Sequence, residues 1–93
     1  MPYIKGEHRN FIDDDITDLL ESIKSIPDFE KNKAGILNYV VTMLAIDLIG
    51  DPKYAKINEI VGALECCKLE LYRRMASPYE DKKVLENGDV YFD

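Results

Sequence analysis

Tyr72, Arg73, Arg74 and Tyr79 stand within eight residues of one another, a density of planar rings and guanidinium forks that suits recognition of a planar anion. Tyrosine faces stack on flat groups and arginine grips phosphates or carboxylates two hydrogen bonds at a time, so the cluster could hold a nucleotide-like molecule. The same residue types concentrate at the hot spots of protein interfaces, so a protein partner fits them as well. Glu65, about two turns earlier beside Leu69 and Tyr72, would orient such a ligand, or else would bond a tyrosine hydroxyl, Asn38 or an arginine and lock helix register. Six tyrosines and no tryptophan in 93 residues place most of the aromatic hydrogen-bonding capacity in tyrosine, and Tyr91 adds a further ring to the same third of the chain.

Other reactive types are sparse. His8 is the single histidine, which excludes a histidine-based metal centre, and neither a glycine-rich phosphate loop nor a nucleophile elbow occurs. Asp18 and Glu21 are three apart, but Glu59 and Glu65 are six apart, so the two helical carboxylate pairs of a magnesium-dependent nucleotide pyrophosphohydrolase are only half present. That enzyme class stays as a weaker alternative; no cofactor, catalytic residue or metal ligand is assigned. Cys66 and Cys67 are adjacent, which suits neither an ordinary disulfide nor a two-residue metal or redox spacing. Cys67 falls on an apolar stripe and reads as inert packing.

The elements that would carry these residues are helices. Ile12, Ile16, Leu19, Leu20, Ile23 and Ile26 recur at three and four residues, predicting an amphipathic helix over about 11–26 that Pro27 helps to stop. Asp13, Asp14 and Asp15 would then complement the exposed N–H groups of its first turns. After a polar link over 28–33, a second helix is expected over 34–49, apolar nearly all round and ended by Gly50-Asp51-Pro52. A third is expected over about 54–76, burying Ile57, Ile60, Val61, Leu64, Cys67, Leu71 and Met75, with Glu70 meeting Arg73 and Arg74 on its outer side. Pro78 would break it or open a short further turn. Asn87-Gly88 between two short apolar runs predicts a hairpin over about 83–92, or an extended tail.

Ninety-three residues predict one domain, and a chain this short buries only about 60–65% of its unfolded surface, so a second subunit would help it. An all-round apolar helix in so small a chain points the same way, to a homo-oligomer. The 18 acidic and 12 basic residues leave a net charge of −6, which disfavours nucleic acid. No signal-like apolar segment opens the chain, and the run from Tyr39 to Ile49 is interrupted by Thr42 and Asp47 and shorter than the about 20 residues a bilayer requires. With its cysteine usage, this makes the expected location the cytoplasm.

The runs Ile57-Asn58-Glu59-Ile60-Val61-Gly62-Ala63-Leu64-Glu65-Cys66, Lys68-Leu69-Glu70-Leu71-Tyr72-Arg73-Arg74, Pro78-Tyr79-Glu80-Asp81-Lys82-Lys83 and Glu86-Asn87-Gly88-Asp89-Val90-Tyr91 resemble a family of small uncharacterised phage and prokaryotic proteins. Met1-Pro2-Tyr3-Ile4 and Asn38-Tyr39-Val40 are similar as well. The resemblance brings no catalytic residues; it implies a small cytosolic protein of viral or mobile-element background that acts by binding. The sequence thus predicts a mostly helical, oligomeric three-helix bundle with a C-terminal hairpin or tail. Its expected function is non-catalytic binding or sequestration of a nucleotide-like molecule through Glu65, Tyr72, Arg73, Arg74 and Tyr79. The alternative is a protein-interaction or structural oligomer engaging itself or a host protein.

Overall fold

Long runs without glycine or proline, rich in leucine, isoleucine, lysine and glutamate, leave the backbone few options but helix, and helix is what the chain forms. The computed structural model describes residues 2–91 and contains α1 (Gly6–Lys24), α2 (Phe29–Ile49), α3 (Tyr54–Leu71), a π-helical turn (Tyr72–Ala76) and α4 (Ser77–Asn87). By backbone proximity the chain divides within α3 into two compact units, one of residues 3–60 and one of residues 61–91 together with Pro2.

In the first unit, α1 starts five residues earlier than the apolar stripe predicts. The Lys5 carbonyl accepts the amides of His8 and Arg9 at 2.9 and 3.0 Å, and Arg9 Nε reaches back to the Ile4 carbonyl at 2.8 Å. Glu7 is therefore the first-turn acid. Asp13, Asp14 and Asp15 lie about two turns further in, exposed, and form a solvated face rather than the expected complement to the open N–H groups.

The α1–α2 connection is also shorter than expected. Pro27 disfavours helical geometry at Ile26, and Asp28 takes the left-handed conformation (φ 58°) that aspartate tolerates better than most side chains. Ser25 ends α1 with its hydroxyl on the Ser22 carbonyl at 2.6 Å, and α2 starts at Phe29, inside the segment that reads as a polar link. The result is a helical hairpin closed by four residues, with α1 packed on α2. α2 ends where the sequence predicts, at Gly50 (φ 62°), whose amide bonds the Ile46 carbonyl at 3.1 Å.

By length and composition α2 matches a membrane span: the helix has 21 residues and contains an 18-residue window with a mean hydropathy of 1.2. Its uncharged run, however, is only Ala34 to Ile46, thirteen residues or about 20 Å of helix, against about 30 Å of bilayer hydrocarbon. A run of that length suits cover by protein.

In the second unit Pro78 does not break the helix. Proline lacks an amide hydrogen and its ring crowds the carbonyl four residues back, here that of Arg74. Opening the preceding turn to π geometry, with the Ser77 amide on the Tyr72 carbonyl, relieves that crowding and lets the helix continue to Asn87. The expected hairpin does not form, because 83–87 are helical and no strand occurs among the described residues. Asn-Gly serves instead as a helix stop: Gly88 (φ 89°) places its amide on the Val84 carbonyl at 2.8 Å. A local helix gives each amide a partner within the segment, whereas an isolated two-stranded hairpin is marginal. Phe92, at the end of the expected hairpin, lies outside the described residues.

No described residue is buried in the single chain. Ile57 and Ile60 on the predicted stripe of α3 are half-buried, but Val61, Leu64, Leu71 and Met75 are exposed, as are both cysteines. The expected packing role of Cys67 is thus not met within one chain. The stripe has the right spacing for burial, and beyond Ile57 and Ile60 its members stay exposed.

Candidate functional site

The π turn carries three of the polar residues singled out by the sequence, Tyr72, Arg73 and Arg74. Glu70, on the last turn of α3, accepts from both arginines through one carboxylate oxygen: Arg73 Nη2 at 2.6 Å and Arg74 Nε at 3.1 Å. One carboxylate thus engages two guanidinium groups and offsets half of their charge. The arginine side chains are more than half exposed, but that of Glu70 is only 23% exposed, so the anion sits beneath its two cations.

Tyr72 faces the other way. Its hydroxyl donates to Glu80 Oε1 at 2.8 Å across eight residues. In a regular helix eight residues turn through about 800°, leaving the two side chains about 80° apart. The extra residue of the π turn rotates Glu80 back over Tyr72. The phenol is held above its ordinary value of 10.0, first by donating to the Glu80 carboxylate and then by that carboxylate's charge, with partial desolvation and Tyr91 adding to the effect. Beyond Gly88 the chain folds back beside α4, where the Tyr91 amide bonds Asp89 Oδ1 at 2.8 Å and Tyr91 lines a cleft of ≈ 260 Å³ with Glu80, Lys83 and Val84.

The remaining candidates do not join this centre. Tyr79 packs its ring under Lys83, whose Nζ lies 5.5 Å from the ring centre. Glu65 forms an exposed ion pair with Lys68 at 2.9 Å, a surface contact rather than an orienting one. Arg73 does border a second cleft, ≈ 250 Å³, with Pro2, Cys66, Leu69 and Glu70. Its size is just below the about 300–1,000 Å³ of small-molecule sites. Among the described residues no group of three histidine, cysteine, aspartate or glutamate side chains could hold a metal ion.

Two contributors stand outside the predicted set. Glu70 is legible as an i+3/i+4 partner of the arginines, but its spacing alone does not distinguish a routine surface pair from the shared anchor of two cations. Glu80 carries no signal in a 3.6-residue pattern, since only the π turn brings it to Tyr72. Chemically, the arrangement can present two guanidinium groups to an anionic partner, on condition that the newcomer competes with Glu70, while the Tyr72 phenol is engaged by Glu80. A phenol kept protonated by a neighbouring carboxylate is a hydrogen-bond donor and not a base.

No curated protein and no solved structure matches this sequence. One family model does, over residues 1–90, and the chain belongs to that family, described as a domain of unknown function (DUF6899).

Proposed function

We propose that this protein is a non-catalytic, cytoplasmic binding protein that works as a homo-oligomer. One observation carries the reading: α2 is apolar on nearly every side, and Leu37, Tyr39, Met43, Leu44, Ile46 and Leu48 remain 50–69% exposed along it in the single chain. Contiguous apolar surface of more than a few hundred Å² is rare on free-standing monomers and marks contact surfaces. Arg73, Arg74 and Tyr72 of the π turn then serve as polar recognition elements. Two adjacent, exposed, unbridged cysteines fit a reducing compartment. Light scattering on the full chain tests the proposal: a mass that is a multiple of 10.7 kDa is expected, and a 10.7 kDa particle at every concentration would overturn it.

A second reading, that the oligomer holds a nucleotide-like molecule, is favoured by the position of Arg73 at the mouth of the cleft it shares with Leu69 and Glu70. A thermal-shift panel of nucleotides decides it. Stabilisation by one member, lost on Arg73→Ala, is the expected result; no shift from any member at large excess removes this reading and leaves the protein-interaction oligomer.

A further inference from the structure

We infer that the apolar groove between α1 and α2 on the Gly35 side seats a helix from a second copy of this chain, an inference that rests on the self-association proposed above. The groove encloses ≈ 560 Å³ and no charged residue lines it; Ser22 and Asn32 are its polar members. Asn32 is already engaged, its amide donating to the Asp28 carbonyl at 3.1 Å. Leu19, Ile23 and Ile26 form one wall, and Ile36, Tyr39 and Val40 the other.

Gly35 is the informative residue. Glycine inside a helix is less favourable than alanine, and this one is no turn, cap or positive-φ position. Among the described residues nothing lies within 4 Å of where its Cβ would be. Within one chain the missing side chain therefore makes room for nothing, whereas a second backbone or a large side chain seated over it would use that room. The knobs for such a notch occur on the same face of the same helix. Tyr39 and Ile46 follow Gly35 by four and eleven residues, within about 40° of it around the axis, and are 66% and 61% exposed. A face carrying both notch and knobs is self-complementary, as a twofold contact between identical chains requires.

The area agrees with that occupant. Leu19, Ile26, Tyr39, Met43 and Ile46 on this side are 40–66% exposed, roughly 500 Å² of apolar surface in all. A standard interface covers about 800 Å² per partner, a little over half of it apolar, so this side supplies the apolar share that a stable dimer needs. The uncharged lining also keeps the groove itself clear of the repulsion between two chains that each carry −6.

The test compares the full wild-type chain with Gly35→Leu, Gly35→Ala and Gly62→Ala by sedimentation velocity across a dilution series, with circular dichroism on each. Gly62 is also helical with open space around it, but lies on α3, so its alanine variant controls for helix propensity alone. Expected is an assembled wild type, association weakened about tenfold or more by Gly35→Leu with helicity retained, a smaller loss for Gly35→Ala and none for Gly62→Ala. Should Gly35→Leu lose its helicity, Gly35→Ala decides, because alanine favours the helix while still occupying the notch. An assembled wild type whose mass is indifferent to Gly35→Ala and Gly35→Leu overturns the groove and leaves self-association standing. Equal weakening by Gly35→Ala and Gly62→Ala also overturns the groove. A monomeric wild type overturns both the groove and the reading it rests on, and would assign the cleft to some other apolar occupant.

Discussion

At the scale of single residues, the most specific geometry is the Tyr72–Glu80 hydrogen bond, and it sets a pH dependence whose sign is fixed. A phenol raised above 10.0 in the folded chain binds its proton more tightly than the unfolded chain does. The contact therefore contributes fully below pH 10 and is lost as pH rises through the folded value. In an alkaline titration followed by phenolate absorbance, Tyr72→Phe should remove a component that ionises above 10.0. Glu80→Gln should bring that component back towards 10.0, and an unchanged curve would mean the hydrogen bond does not persist in solution. Glu70 makes a second residue-scale prediction. As the common anchor of Arg73 and Arg74 it holds two i+3/i+4 pairs, each worth about 0.3–0.5 kcal/mol on an exposed helix. Glu70→Gln should cost about 0.5–1 kcal/mol in denaturant unfolding at fixed protein concentration. Most of that difference should vanish near 1 M salt, where the Debye length is about 3 Å; a loss that persists there would assign Glu70 a packing role.

At the scale of elements, the π turn decides what the candidate site is, and proline is its physical cause. Pro78→Ala restores an amide and removes the crowding at Arg74, so the segment Tyr72–Ala76 should relax to regular helix. α4 would then rotate by about 100° relative to α3, separating Glu80 from Tyr72. The variant should be more stable by about 1 kcal/mol, a fraction of the about 3 kcal/mol that an unaccommodated helical proline costs, and Tyr72 should titrate at its ordinary value. A Tyr72 that still ionises late in Pro78→Ala would show that something other than proline holds the register. This element also marks the limit of what could be read from sequence. The helices themselves were legible, since three- and four-residue apolar spacing and the Gly50-Asp51-Pro52 stop are local signals that act locally. The starts of α1 and α2 were not, because polar segments such as 6–10 and 30–33 extend a helix at little cost without contributing to an apolar stripe. Asn87-Gly88 is ambiguous by nature: the same backbone freedom closes a hairpin or ends a helix, and the helix entering it from Ser77 selects the second. The arginine pair was legible with its Glu70 partner, but Glu65 and Tyr79 were grouped with it by proximity along the chain, and each is engaged by a lysine three or four residues on.

At the scale of the whole molecule, burial is where sequence pattern and single-chain structure part company. Periodicity reports which residues ought to be covered, not which chain covers them, so a stripe such as Ile57, Ile60, Leu64 and Leu71 reads alike in a monomer core and in a subunit contact. If assembly completes the fold, stability must follow mass action, and the melting temperature must rise with protein concentration. Charge adds a second dependence. Each chain carries −6, with Asp13, Asp14, Asp15 and Asp18 clustered on α1, so bringing two copies together is opposed by like-charge repulsion that acts across the solvent around the contact. Raising salt from about 0.01 M to 0.15 M shortens the Debye length from about 30 Å to about 8 Å and should strengthen assembly, the reverse of what a contact held by surface ion pairs would do. Sulfate, which also favours apolar burial, should strengthen it further at equal ionic strength. Melting curves at a tenfold range of concentration in the three buffers separate the cases. A melting temperature that is independent of concentration removes the assembled fold, and one that falls with salt transfers the interface from the apolar faces of α1 and α2 to the charged turn around Glu70, Arg73 and Arg74.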